Sequence, residues 1–238
     1  MSNKKLLEIF KKDAEQLVNA ETLALTSMRK AIISGALSPG KEIDEEMVAQ
    51  NLNISRMPVR QALGILESEG LVKRIHRHGA TVTQLSSEEI KEIYNMRACL
   101  EALAIRKAVP RYSDEYITML RALLKEFPDR FDDPYQFVRL NHKFHLALYE
   151  PCDWDRLVNL IIQLRNNTAR YIGMTRNFLQ QMPSFSANHS QILVACERKN
   201  SEQAATLMRE HILCAMKALL QDFSDSGAKN QSRNVGLE

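Results

Sequence analysis

Apolar residues recur at three- and four-residue intervals along most of this chain, and that spacing predicts a helical protein. Leu6, Leu7, Phe10, Leu17 and Val18 fit a short helix within an N-terminal extension, residues 1–20. Leu23, Met28 and Ile32 predict a helix over 21–35 that Gly35 ends. After the Ser38-Pro39-Gly40 turn, Asp44 is placed to cap a short helix, with Glu45 and Glu46 in its first turn. Asn51 to Asn53 break it. Ser55 is placed to cap the next helix, which has Pro58 in its first turn and Val59, Leu63 and Leu66 as its buried stripe; Gly70 closes it. Two strand-like runs follow, Leu71–Ile75 and Ala80–Thr83, with Gly79 supplying the bend between them. From Ser87 every periodic segment is helical, near 87–109, 113–126, 134–150, 154–179, 185–199 and 201–222. Pro110, Pro128, Pro134, Pro151 and Pro183 fall at the breaks. The polar stretch 223–238 reads as a disordered tail.

The pattern therefore changes near residues 84–87 and divides the chain into a segment at 21–84 and an all-helical one at 87–222. Helix, tight turn, helix and hairpin is the order of a winged helix-turn-helix, whose second helix enters the major groove by its N-terminal end. That end carries Ser55, Arg56, Met57 and Arg60. Arg56 and Arg60 are four apart and share a face. Their forks suit guanine edges or phosphates, and Ser55 with the first-turn amides suits a phosphate. Charge sharpens this: residues 51–85 carry a net +3 and residues 41–50 a net −3, although the whole chain is only +3. Basic surface is thus confined to the second helix and the wing.

Composition mainly excludes. With 45% hydrophobic and 26% charged residues the chain is globular. Six per cent aromatics, eight glycines and seven prolines do not suit a sandwich or barrel. Cys99, Cys152, Cys196 and Cys214 are scattered without a C-x-x-C pair, so reduced thiols in a cytoplasmic protein are expected. No apolar run approaches membrane-spanning length, and no signal peptide is apparent.

The helical segment holds four of the six histidines, His142, His145, His189 and His211. On the helix near 134–150, Phe137, Leu140, Phe144 and Leu148 form the core stripe, and Asn141 and His145 lie four apart beside it. His211 falls in line with Ala204, Leu207, Cys214 and Ala218, and His189 precedes the inward residues Ile192, Val194 and Cys196. Three inward imidazoles on three helices can build a metal site inside a bundle, although a lone inward histidine is more often a satisfied core residue.

The literal residues go further. Ile33-Ser-Gly-Ala-Leu-Ser-Pro-Gly40, Ser55-Arg-Met-Pro-Val-Arg60, Leu66-Glu-Ser-Glu-Gly-Leu-Val72 and Arg77-His-Gly79 resemble the DNA-binding domain of GntR-family transcription regulators over about residues 21–83. The resemblance carries DNA contact to Arg56 and Arg60. It makes Gly79 the wing-tip glycine, with Arg77 and His78 beside the minor groove. Met57 stands where Thr or Gln is usual and can touch a thymine methyl instead of hydrogen-bonding a base edge. Asn141-His-Lys-Phe-His145, Asn188-His189-Ser-Gln-Ile-Leu193 and His211 resemble the FCD-type effector domain of the FadR subfamily, an antiparallel helical bundle. Six helices favour the VanR-like branch. In metal-binding members an acidic residue and three histidines hold the ion; by position these are Asn141, His145, His189 and His211. Asn141 replaces the common Asp and removes one negative charge. Arg97, within Met96-Arg97 to Leu100-Glu101 and Ala104, matches the first FCD helix and would act as a carboxylate receptor; its alternative is a salt bridge to Glu101. Arg165, Asn166, Asn167 and Arg170 are further polar candidates on the long helix.

What the resemblance implies is a mainly α protein, a winged helix-turn-helix followed by an all-α bundle. It would act as a homodimeric, cytoplasmic repressor on double-stranded operator DNA. A small carboxylate effector would bind at a divalent metal, Zn²⁺ or Ni²⁺. The alternatives are a constitutive DNA-binding regulator without metal and a metal-dependent hydrolase. Against the hydrolase, no H-E-x-x-H arrangement supplies a general base.

Overall fold

The structure is a computed structural model describing residues 19–75, 79–127, 133–174 and 182–234. The expected helix within 1–20 lies outside these residues up to residue 18, as do Arg77 and His78. The chain divides into two compact units, Met1–Gln84 and Leu85–Glu238. No helix among the described residues is long and apolar enough to cross a membrane.

In the first unit, α1 (19–33), α2 (Glu45–Leu52) and α3 (Arg56–Ser68) pack over a sheet of β1 (Glu42–Ile43), β2 (Val72–Ile75) and β3 (Gly79–Val82). Asp44 caps α2 by accepting from the Glu46 amide at 2.8 Å, and Asn53 ends it in the left-handed region. Ser55 is the N-cap residue of α3 but makes no side-chain cap bond, unlike the expectation. The chain turns between α2 and α3 at Asn53, whose backbone is left-handed. Ala24, Met28, Ile32, Val59, Leu63, Leu66, Val72 and Val82 fill one core. A bidentate Arg29–Glu69 pair (2.6 and 3.2 Å) ties α1 to the end of α3.

The sheet runs β1-β3-β2, all antiparallel, with Ile75 opposite Gly79 and Ile43 opposite Ala80. The two-residue β1 escaped the sequence pattern because alternation cannot register over so short a run. Gly79 has φ +104, and a Cβ there would sit 2.1 Å from the Ile43 carbonyl oxygen. The missing side chain is thus what lets β1 approach the wing.

In the second unit, α4 (Ser87–Ala108) opens with a full capping box between Ser86 and Glu89. It lies against α7 (Asp155–Met174) and α9 (Ser201–Asn234). α5 (Asp114–Lys125) and α6 (Pro134–Tyr149) follow α4, and α8 (Met182–Glu197) precedes α9. Residues 175–179, expected to extend α7, lie outside the described residues. α9 runs on to Asn234 where a disordered tail was expected. The stretch has no proline and a single interior glycine, Gly227, so nothing in its backbone stops a helix already begun. Val194, expected to face inward, is exposed, and Ala195 takes the buried position beside Ile192 and Cys196.

Gly79→Ala should destabilise the first unit by about 2 kcal/mol or more, since it adds both left-handed strain and a clash with backbone. A urea melt of that unit with an unshifted midpoint would contradict this role.

Candidate functional site

A buried polar cluster of the helical unit begins at Glu101, which lies in the buried stripe of α4 with no exposure. Its Oε1 accepts from Arg97 Nε at 2.8 Å. Its Oε2 accepts from Arg165 Nη1 at 2.8 Å and from the Tyr149 hydroxyl at 2.5 Å. Burial would push the Glu101 carboxyl up, but Arg165, Arg97 and the His145 hydrogen bond overturn that and hold it well below the usual range. Arg97 also donates to the Thr168 hydroxyl at 3.1 Å and lies over the Tyr94 ring. The salt bridge posed as the alternative for Arg97 is therefore present.

Tyr149 connects this cluster to the histidines. Its one proton goes to Glu101, so its oxygen accepts from His145 Nδ1, 3.0 Å away. His145 thereby carries its proton on Nδ1 and presents a bare Nε2. That Nε2 faces His189 Nε2 at 3.2 Å. His145 (α6), His189 (α8) and His211 (α9) are all buried, and one nitrogen from each lies within 4.8 Å of the others. Phe127 and Phe144 lie against the His189 ring, with centroids 5.6 and 5.1 Å away. Burial pushes all three imidazoles well below their usual range, helped by Arg165 and by their own proximity.

The donor set fits a metal. Tetrahedral coordination at ~2.0–2.1 Å puts neighbouring nitrogens about 3.3 Å apart, close to the separation between His145 and His189. The site offers three neutral imidazoles, the protonation state that ligation requires. Asn141 is buried one turn ahead of His145, and its backbone carbonyl accepts from Arg165 Nη2 at 3.4 Å. Arg165 Nε is buried with no hydrogen-bond partner. Sequence reasoning left the facing of Arg165 open and treated Glu101 only as a partner for Arg97. No local pattern signals that α7 and α4 meet there.

In the first unit, Arg56 and Arg60 both project from the start of α3 and are more than half exposed, as is Met57. Ser55 is exposed beside them. Gly79 is buried at the β1–β3 approach. Glu45, read from sequence only as a first-turn acid, is buried against Arg60 at 2.9 Å.

Comparison with known proteins agrees with this division. Residues 24–82 match the family described as bacterial regulatory proteins, gntR family, and residues 92–213 match the FCD domain. The gluconate operon transcriptional repressor of Bacillus licheniformis is 37% identical over 209 residues, covering 85% of this chain and 81% of that protein. The HTH-type transcriptional repressor GlaR of Escherichia coli (strain K12) is 26% identical over 204 residues, covering 82% and 93%. Among solved structures, E. coli McbR/YncC superposes with a TM-score of 0.71 over 86% of this chain and 98% of that one; at 22% identity this is a likeness of fold alone.

The buried imidazoles give a pH dependence with a definite sign. Unfolded, they titrate near 6.5; folded, they stay neutral well below it. Below about 6.5 the unfolded chain binds protons that the folded chain does not. Stability therefore falls as pH drops, by at most about 1.4 kcal/mol per pH unit for each imidazole. Glu101, lowered from 4.5, adds a loss of the same sign at lower pH. In chelator-treated protein the denaturation midpoint of the helical unit should fall steadily from about pH 7 to pH 5. A flat midpoint would contradict neutral, buried imidazoles.

Proposed function

Because the chain belongs to the GntR family of bacterial transcription regulators, with an FCD domain behind its DNA-binding domain, we propose that it is an effector-responsive repressor holding a divalent metal. It is a transcription regulator and not an enzyme. Members of this family bind operator DNA. A symmetric dimer would place two winged domains on a pseudo-palindromic site.

The observation that carries the metal is the convergence of His145, His189 and His211 within 4.8 Å in the neutral state. Asn141 is the proposed fourth ligand. Three imidazoles suit Zn²⁺ or Ni²⁺, and the ion would supply a Lewis-acid position for a carboxylate oxygen. Charge supports an acidic effector. Arg97 and Arg165 against Glu101 leave one buried positive charge in excess among the described residues of this unit, and a dication raises it to three. Arg97, the receptor suggested by resemblance, is committed to Glu101 and Thr168. Arg165 keeps an unpartnered Nε and is the better placed of the two. The effector acts through its different affinity for the DNA-competent and DNA-incompetent arrangements.

At the DNA, Ser55, Arg56, Met57 and Arg60 are the proposed contacts of α3, with Arg77 and His78 at the wing; Gly79, buried against Ile43, shapes the wing instead of reaching DNA itself. The absence of a Ser55 cap bond leaves its hydroxyl available to a phosphate.

Protein purified without a metal-affinity tag should contain about one divalent ion per chain, lost in His145→Ala and in His189→Ala. No metal in the wild type would remove the metal-assisted effector and favour a constitutive regulator. Arg56→Ala and Arg60→Ala should each cost about 1–3 kcal/mol of operator affinity with unchanged circular dichroism. Where the arginine removed neutralises a phosphate, the salt dependence should also flatten by ~0.9 in slope. Wild-type affinity in either variant would exclude that arginine from the interface.

A further inference from the structure

Glu45 has no place in the contacts assigned above, yet among the described residues of the first unit it is the buried acidic side chain, and three arginines surround it. Arg60 of α3 gives it Nε at 3.2 Å and Nη2 at 2.9 Å. Arg56, one turn earlier, approaches to 3.9 Å, and Arg74 of the wing strand β2 approaches to 3.7 Å. Glu46 adds a second carboxylate to Arg56 at 3.7 Å. The Glu45 side chain is 8% exposed, while those of Arg60 and Arg56 are 59% and 56% exposed. One fixed anion thus sits beneath cations that reach outward from two elements.

The edge that Glu45 takes is informative. A guanidinium has two forks, the Nε/Nη2 side and the Nη1/Nη2 end. Glu45 occupies the side of Arg60, which holds its plane and leaves the end free to face outward. Guanine is read by such a fork at O6 and N7, and the reading depends on orientation. An exposed arginine without a buttress loses side-chain entropy on ordering and can as readily turn to a phosphate.

We propose that Glu45 is a positioning residue for sequence reading: it orients Arg60 end-on toward a base edge and draws Arg56 and Arg74 into the same surface. Arg74 joins the DNA-facing set on this reading. Glu45 itself opposes DNA electrostatically, so it lowers general affinity and contributes selectivity. The proposal rests on the assignment of the first unit to DNA binding.

A preferred duplex is selected from a randomised library with the wild-type protein, and affinity for it is compared with that for a shuffled duplex. For Glu45→Gln the shuffled duplex should bind as tightly as before or tighter, while the selected duplex weakens. The specificity ratio should fall by about tenfold or more, with thermal unfolding of the first unit unchanged. Glu45→Asp keeps the charge but not the reach, so it should lose part of the ratio. A ratio equal to wild type in Glu45→Gln overturns the proposal, whether the two affinities stay fixed or move together. Should Glu45→Gln fail to fold, a wild-type ratio in Glu45→Asp overturns it instead. A wild-type protein that prefers no duplex contradicts the DNA-binding assignment itself, a separate outcome.

Discussion

A carboxylate withdrawn from water has to be paired from every side, and Glu101 imposes that requirement on the helical unit. Its partners come from α4 itself, from α7 through Arg165 and from α6 through Tyr149, so three helices meet at one charge. Removing Glu101 would leave two buried arginines without their counter-charge, a larger penalty than the pairs' own net contribution. The arrangement fixes where α6 and α7 stand against α4. It also reaches the histidines, because Tyr149 has a single proton and gives it to Glu101. His145 must then donate from Nδ1, and its Nε2 is left bare toward His189. The proposed metal site thus inherits its tautomer from a carboxylate that faces His145 Nδ1 at 3.5 Å and is linked to it through Tyr149, as in many metal centres.

The two units use the same device at different depths. Glu101 is fully buried and its arginines are buried with it, so the cluster is structural first, and it leaves Arg165 Nε without a hydrogen-bond partner. Glu45 is buried beneath arginines that stay in solvent, so its cluster holds groups ready for an outside partner. In each case an acid sets the geometry of the cations around it, and those cations are the ones proposed to meet a ligand or DNA. Separating the functional charge from the positioning charge keeps the geometry in place before any ligand arrives.

Much of this was legible in the sequence, for identifiable reasons. Helix boundaries followed from apolar period and proline, as at Pro134 and Pro151, because both act over a few residues. His145, His189 and His211 could be grouped because each falls on or beside an apolar stripe, and stripes of a bundle face one another. Glu101 and Arg165 were harder. They are charged, and charged residues in a helix ordinarily mark its wet face. Only the packing of α7 on α4 makes them interior. Glu45 was hidden for a related reason: its position in the first turn of α2 already gave it a sufficient role, and its pairing with Arg60 spans 15 residues and a turn. The two-residue strand β1 left no periodic trace, and the final helix outran its apolar pattern.

The central claim is that burial and the Glu101–Tyr149 relay hold three imidazoles converged, neutral and ready for a metal. Calorimetric titration of Zn²⁺ into metal-free protein near pH 6, in two buffers of different ionisation enthalpy, counts the protons released. The account predicts about one ion per chain and close to zero protons, because the folded imidazoles carry none to lose. Ordinary histidines would release about two. Release of two protons, or no binding at all, would contradict it.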